Sequence, residues 1–180
     1  KGVKIHPTPG GQFSGGVDTN LAELQEALVA ETLDLIIIPS VGPLPRFEHR
    51  IIDSELVVLV ESQSQSSGAV ELAEIADRQL ILVPDTCGLT KFTRDLLASR
   101  DLTLRSYPGE ALSYQVLEEW CTLGLGDALL PISRVTDGTY RRVTDAGTDV
   151  EIFYEAVWSP GSLLATELSE LVGLLSSPPA

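Results

Sequence analysis

Hydrophobic positions recur along this chain with two periods, and the switches between them mark its elements. Leu21, Leu24, Leu28 and Val29 fall at i, i+3, i+7 and i+8, one face of a helix. Asn20 with Glu23 three residues later resembles a capping box. The run Leu33-Asp34-Leu35-Ile36-Ile37-Ile38 is nearly continuous, as in a strand covered on both faces. A second strand is predicted over 55–60, a short helix over 70–76 and a strand over 79–83. Leu89, Phe92, Leu96 and Leu97 then share a helix face. A strand at 102–105 precedes a helix marked by Val116, Leu117, Trp120 and Leu123, which Gly124-Leu125-Gly126 stops. Residues 128–131 read as a short buried strand. Val150, Ile152, Tyr154, Ala156 and Trp158 alternate along a longer one. Leu164, Leu168, Leu171 and Leu175 stripe a last helix, with Ser159-Pro160 as its start.

Alternating strands and helices predict an α/β fold with mainly parallel sheets. The polar spacer 61–68 reads as an exit from one sheet into another, and the strand near 150–158 as the return. That gives two lobes joined by two crossover strands: lobe I from 1–60 with 154–180, lobe II from 61–153, and a crevice between them. Glycine-rich loop residues fill 8–16.

Composition narrows the function. Twelve Lys and Arg stand against 26 Asp and Glu in 180 residues, a formal charge of −14. Such a surface repels phosphate backbones and anionic membranes, so the chain itself is read as neither a DNA binder nor a membrane protein. Apolar runs of about six residues are far short of the ~20 that span a bilayer. Without a signal peptide the chain reads as cytoplasmic; without any Met it reads as a fragment or processed chain. Cys87 and Cys121 form no CxxC pair, and no metal or other cofactor is expected. No GxSxG, Walker, HExxH or EF-hand pattern is present, and the carboxylates are read as scattered on exposed faces, so no enzyme activity is expected.

Several pieces in register resemble the LysR-type transcriptional regulators. Leu21-Ala22-Glu23-Leu24 through Leu33-Asp34-Leu35-Ile36-Ile37 is similar to that family's "L..L...L..G.LDLAI" segment. Glu55-Leu56-Val57-Val58-Leu59-Val60 is similar to its "E.LVLV" strand, and Val70-Glu71-Leu72-Ala73-Glu74-Ile75-Ala76 to "V.L.DLA". Gln79-Leu80-Ile81-Leu82 is similar to the "..LI" strand that follows. Gly124-Leu125-Gly126-Asp127-Ala128-Leu129-Leu130-Pro131 resembles "GLGIALLP". The resemblance implies the effector-binding domain of such a regulator, with two Rossmann-like lobes in the architecture of a type 2 periplasmic binding protein. By that pattern the opening strand-helix unit is missing, the 6–19 loop is long, and the last strand lacks its terminal basic residue.

In open α/β sheets ligands sit past the carboxyl ends of strands, beside helix N-termini. Pro39-Ser40, Asp85-Thr86-Cys87-Gly88 and Ala111-Leu112-Ser113 meet that description. The resemblance puts effector contacts there and in the loop after the first strand, so the candidates are Thr8, Gly10, Ser40, Thr86, Cys87, Gly88 and Ser113. Thr86 and Ser113 equally suit helix caps, Ser40 a turn and Gly88 a backbone requirement. Cys87 at a helix start suits a reactive thiol, and the family's peroxide sensors carry a cysteine in this loop; their resolving cysteine, roughly a helix further on, is replaced here by Leu96 and Leu97. Cys121 reads as a buried small hydrophobe. His6, in a cleft-side loop, suits either an anion contact or simple solvation, His49 has no catalytic partner in sight, and Arg141-Arg142 reads as a solvated pair.

The resulting expectation is a sensor of a small carboxylate or other anion. It signals to a separate winged helix-turn-helix that alone contacts DNA. The resemblance implies a homodimer through helices 21–32 and 116–123, and a tetramer in the full-length protein. The alternatives are a transporter's solute-binding protein and a cysteine-based redox sensor or enzyme.

Overall fold

The computed structural model describes residues 5–7, 21–61, 68–136 and 139–176. Its elements are β1 (Ile5–Pro7), α1 (Leu21–Val29), β2 (Leu35–Pro39), β3 (Glu48–Val60), β4 (Val70–Glu71), α2 (Leu72–Ile75), β5 (Gln79–Leu82), α3 (Gly88–Ala98), β6 (Arg105–Glu110), α4 (Tyr114–Thr122), β7 (Ala128–Pro131), β8 (Tyr140–Asp145), β9 (Thr148–Asp149), β10 (Glu151–Trp158) and α5 (Ala165–Leu175). The chain divides into two compact units, 1–54 with 153–180, and 55–152. The strands β3 and β10 each run from one unit into the other.

The first unit explains why 33–38 carries almost no polar residue. Ile36 and Ile38 of β2 pack with Leu24 and Leu28 of α1, Leu44 and Val157. Leu35 packs on the other face with Ala156, Trp158 and the α5 residues Leu168 and Val172. A strand sandwiched between helices must be apolar at every position, and truncating such a residue costs roughly 2–5 kcal/mol. The strand β2 is parallel to β1 and antiparallel to β10.

The second unit holds two groups of strands. The end of β3 is antiparallel to both β7 and β8, and β4 lies parallel to β8. The strand β5 is parallel to β6, and Leu80 bridges to Asp127 in the parallel sense just before β7. Gly126 permits that approach, because a Cβ there would stand 2.7 Å from the Gln79 carbonyl oxygen. The α/β class holds, but the expected mainly parallel sheets are corrected to mixed ones. The crossover strands run against their neighbours: β10 against β2, and β3 against β7 and β8.

Other boundaries also differ. The strand expected at 55–60 begins seven residues earlier, at Glu48. That expected at 102–105 starts only at Arg105. The last helix starts at Ala165, after the turn in which Ser162 N–H donates to the Ser159 carbonyl and Ala165 N–H to that of Ser162. The hairpin of β8 and β9 was not foreseen. Its two-residue turn puts Ala146 at φ 51° and Gly147 at φ 78°, the double positive φ of a type I′ turn. The Glu71 carboxylate accepts from both of their N–H groups at 3.1 Å.

Burial corrects two readings of charge. Arg141 is not solvated: it is buried, and donates from Nε and Nη2 to the two oxygens of buried Glu61 at 2.8 and 3.4 Å. Arg142 is exposed and pairs with Asp149. Carboxylates are not all on exposed faces, since Glu61, Glu118 and Glu155 are buried. The His49 Nδ1 lies 2.9 Å from Glu155 Oε2. No described helix is long and apolar enough to cross a membrane.

Candidate functional site

Three strand ends meet in the second unit. The strands β5, β6 and β7 point the same way, and each is followed by a turn into helical structure. After β5 the chain tightens: Cys87 N–H donates to the Pro84 carbonyl at 2.8 Å, and the Thr90 hydroxyl donates to the Val83 carbonyl at 2.7 Å. That turn places Cys87 at the N-cap of α3, with no side-chain hydrogen bond capping the helix. The loop after β6 is drawn alongside, because Ala111 N–H donates to the Leu82 carbonyl at 2.8 Å. Ser113 then caps α4, its hydroxyl accepting from Val116 N–H at 3.2 Å.

The N-termini of α3 and α4 are therefore neighbours, and their side chains touch. The Cys87 Sγ lies 3.4 Å from the Tyr114 hydroxyl. The third strand end brings Arg134, last residue of the 3-10 turn Ile132–Arg134. Its guanidinium carbon sits 5.2 Å from the centre of the Tyr114 ring, within cation–π range. Its Nε and Nη2 are buried without a hydrogen-bond partner. Just beyond, Glu118 of α4 fixes the chain: its carboxylate accepts from Thr136 N–H at 3.1 and 3.2 Å and from the Thr136 hydroxyl at 2.6 Å.

Helix N-termini carry partial positive charge and amide donors, and a guanidinium adds a full charge. These groups, set within a strongly acidic chain, suit a small anion.

The expected site residues fall in different places. Cys87, Gly88 and Ser113 belong to this cluster. Cys87 and Gly88 are buried, and Ser113 is half-buried. Thr86 lies next to it but is exposed and caps nothing, because the helix begins one residue later than a Thr86 cap requires. Ser40 belongs to the first unit, where it is exposed and its N–H donates to the Phe153 carbonyl at 2.8 Å. Thr8 and Gly10 lie outside the described residues, as does Asn20 of the expected capping box. Sequence reasoning missed Tyr114 and Arg134. The only signal for Arg134 was its position three residues after the Ala128-Leu129-Leu130-Pro131 strand.

Both cysteines are buried thiols, not joined in a disulfide. Burial pushes the Cys121 thiol from 9.0 up to about 12, and the charges of Asp127 and Glu118 push the same way. Among the described residues no group of His, Cys, Asp and Glu is disposed to hold a metal ion. A separate groove of about 570 Å³ lies on the first unit, between α1 and 43–47. Its walls are mostly apolar. We therefore take the strand-end cluster as the candidate site.

A family model described as the LysR substrate binding domain matches residues 17–177. The chain belongs to that family. Solved LysR-type proteins share its fold. A Corynebacterium glutamicum OxyR C206 mutant superposes with a TM-score of 0.76 at 18% identity, covering 88% of this chain and 52% of that one. Full-length CbnR complexed with its target DNA gives 0.73 at 18%, covering 89% and 59%. The CcmR regulatory domain from Synechocystis PCC6803, in complex with 2-PG, gives 0.69 at 12%, covering 88% and 79%. The chain thus spans between half and three-fifths of the first two. The fold is that of the type 2 periplasmic binding proteins, to which LysR substrate binding domains are akin. No curated protein matches the sequence.

Proposed function

We propose that this LysR substrate binding domain senses a small anionic metabolite at the strand-end cluster of its second unit. The sensing works through binding alone, without bond-making chemistry. The observation that carries this reading is the convergence of β5, β6 and β7. It sets the uncapped start of α3, the Ser113-capped start of α4 and the Arg134 guanidinium side by side. The ligand acts by differential affinity for two arrangements of the regulator, and so repositions a DNA-binding domain elsewhere in the full-length protein. Contact with DNA falls to that domain, since a chain of charge −14 repels phosphate. The setting is cytoplasmic. The test is a thermal-shift screen of small carboxylates and phosphates: a ligand at a hundred times its Kd adds roughly 2.7 kcal/mol. A screen in which no small molecule raises the melting temperature contradicts the reading.

The regulator works as a homodimer, and as a tetramer at full length. Val29 of α1 is 66% exposed beside the groove on the first unit, an apolar face that a second copy would cover. Sedimentation that finds a strict monomer at high concentration would contradict this.

A second reading, redox sensing, rests on Cys87 at the start of α3. Against it, Cys121 is fully buried and its thiol holds its proton up to about pH 12, so it is a poor resolving partner. Peroxide treatment followed by mass spectrometry should yield no 87–121 disulfide. A Cys87 sulfenate would favour the redox reading.

A further inference from the structure

The Arg134 side chain carries an inference that deepens, and rests on, the sensing function proposed above. In the second unit two arginines have the Nε and Nη2 edge withdrawn from water, and they use it differently. The Nε and Nη2 edge of Arg141 grips the two oxygens of Glu61. This is the side-on, two-point geometry in which a guanidinium takes a carboxylate or phosphate. The Nε and Nη2 edge of Arg134 is buried with no acceptor at all.

A buried donor without an acceptor is destabilising, and a buried donor of a charged group more so. Packing here does not explain retaining it, because the Tyr114 face would hold an aliphatic chain as well. The surroundings instead favour an incoming negative charge. The cation lies over Tyr114, the first residue of α4, whose hydroxyl reaches Cys87 at the start of α3. The Glu118 clasp on Thr136 holds the backbone two residues past Arg134, so the guanidinium is held near both helix starts.

We propose that Arg134 is the specificity-determining residue of the site, and that its Nε and Nη2 edge takes an oxyanion, a carboxylate or phosphate group, of the effector. The desolvation of that edge already weighs on the folded chain, so binding recovers it. Admission of the anion requires the guanidinium to slide along the Tyr114 ring. That movement shifts Tyr114 and its contact with Cys87, which couples recognition to the start of α3.

The experiment uses calorimetry on the 180-residue chain, with inorganic phosphate, benzoate and 2-PG as probes and benzamide as the uncharged comparator. Variants are Arg134→Gln and Arg134→Lys. At least one oxyanion probe should bind. Arg134→Gln should weaken it roughly 10- to 100-fold, the effect of losing hydrogen bonds to a charged group. Arg134→Lys, which keeps the charge and loses the fork, should fall between. Near-ultraviolet dichroism should change on binding in wild type and not in Arg134→Gln, a signature of the moving Tyr114. Equal affinity in wild type and both variants overturns the inference and leaves the sensing function intact. Binding of neutral compounds only overturns the inference and the anionic reading together. Binding of nothing, neutral or charged, overturns both.

Discussion

Arg141 and Arg134 sit in the same unit and present the same guanidinium edge to their surroundings, yet one edge is satisfied and the other is not. Around Arg141 the charges close on one another. Glu61 takes Arg141 on one side and Arg78 on the other at 2.9 Å, and Arg78 also reaches Asp127 at 2.8 Å. Burial alone would lower the Arg78 pKa, but its two carboxylate partners together raise it. Such a network fastens β3, β5, β7 and β8 into one unit. Around Arg134, among the described residues, the partner is an aromatic face. The difference separates what a buried charge does for the fold from what it does for a ligand. A satisfied charge is part of the structure, and an unsatisfied one is kept for something that arrives.

The contrast predicts unequal responses to mutation. The largest belongs to the closed network. Glu61→Ala leaves the buried Arg141 without its carboxylate, and should destabilise the chain by roughly 3–5 kcal/mol in urea unfolding. A loss under 1 kcal/mol would mean that water reaches the network. Next comes Glu118→Ala, which releases Thr136 and the turn carrying Arg134. It should cost about 2 kcal/mol by the same assay. It should also weaken anion binding, because it loosens the backbone behind the guanidinium.

Smaller is the contribution of Cys121, whose folded pKa is raised from 9.0 to about 12. Between those values the unfolded chain loses the thiol proton and the folded chain keeps it. Stability is therefore unaffected below pH 9 and declines as pH rises toward 12. The decline of unfolding free energy with pH should be shallower in Cys121→Ala than in wild type, and identical slopes would refute the cause. Smallest is Arg134→Leu. Removing an unsatisfied charge while keeping apolar contact with Tyr114 should change stability by no more than ~0.5 kcal/mol, or raise it. A large loss would show that Arg134 serves the fold after all, and would erase the contrast.

The sequence displayed the framework better than the site. Elements whose burial writes a local pattern were legible: the two-sided strand β2, the short buried β7, and the faces of α1, α3 and α4 apart from Val29 and Leu123, which are exposed. The hairpin of β8 and β9 was hidden because its residues are mostly polar, and its turn residues Ala146 and Gly147 lack the Asn-Gly or Asp-Gly signature. Arg141 looked solvated because its partner Glu61 lies 80 residues away in sequence. The same distance effect hid the candidate site. Ser113 is readable as a cap because Val116, its partner, is three residues on. Tyr114 and Arg134 become neighbours only when three parallel strands bring their ends together.

The central claim is that small oxyanions bind at the starts of α3 and α4 beside Arg134. It is tested most directly by titrating the nitrogen-15-labelled chain with phosphate, benzoate and 2-PG, following amide and Arg134 Nε–H signals. Saturable shifts at Cys87, Gly88, Tyr114 and Arg134 Nε–H are predicted. Shifts confined to α1 and residues 43–47, or none at any of these positions, would contradict it.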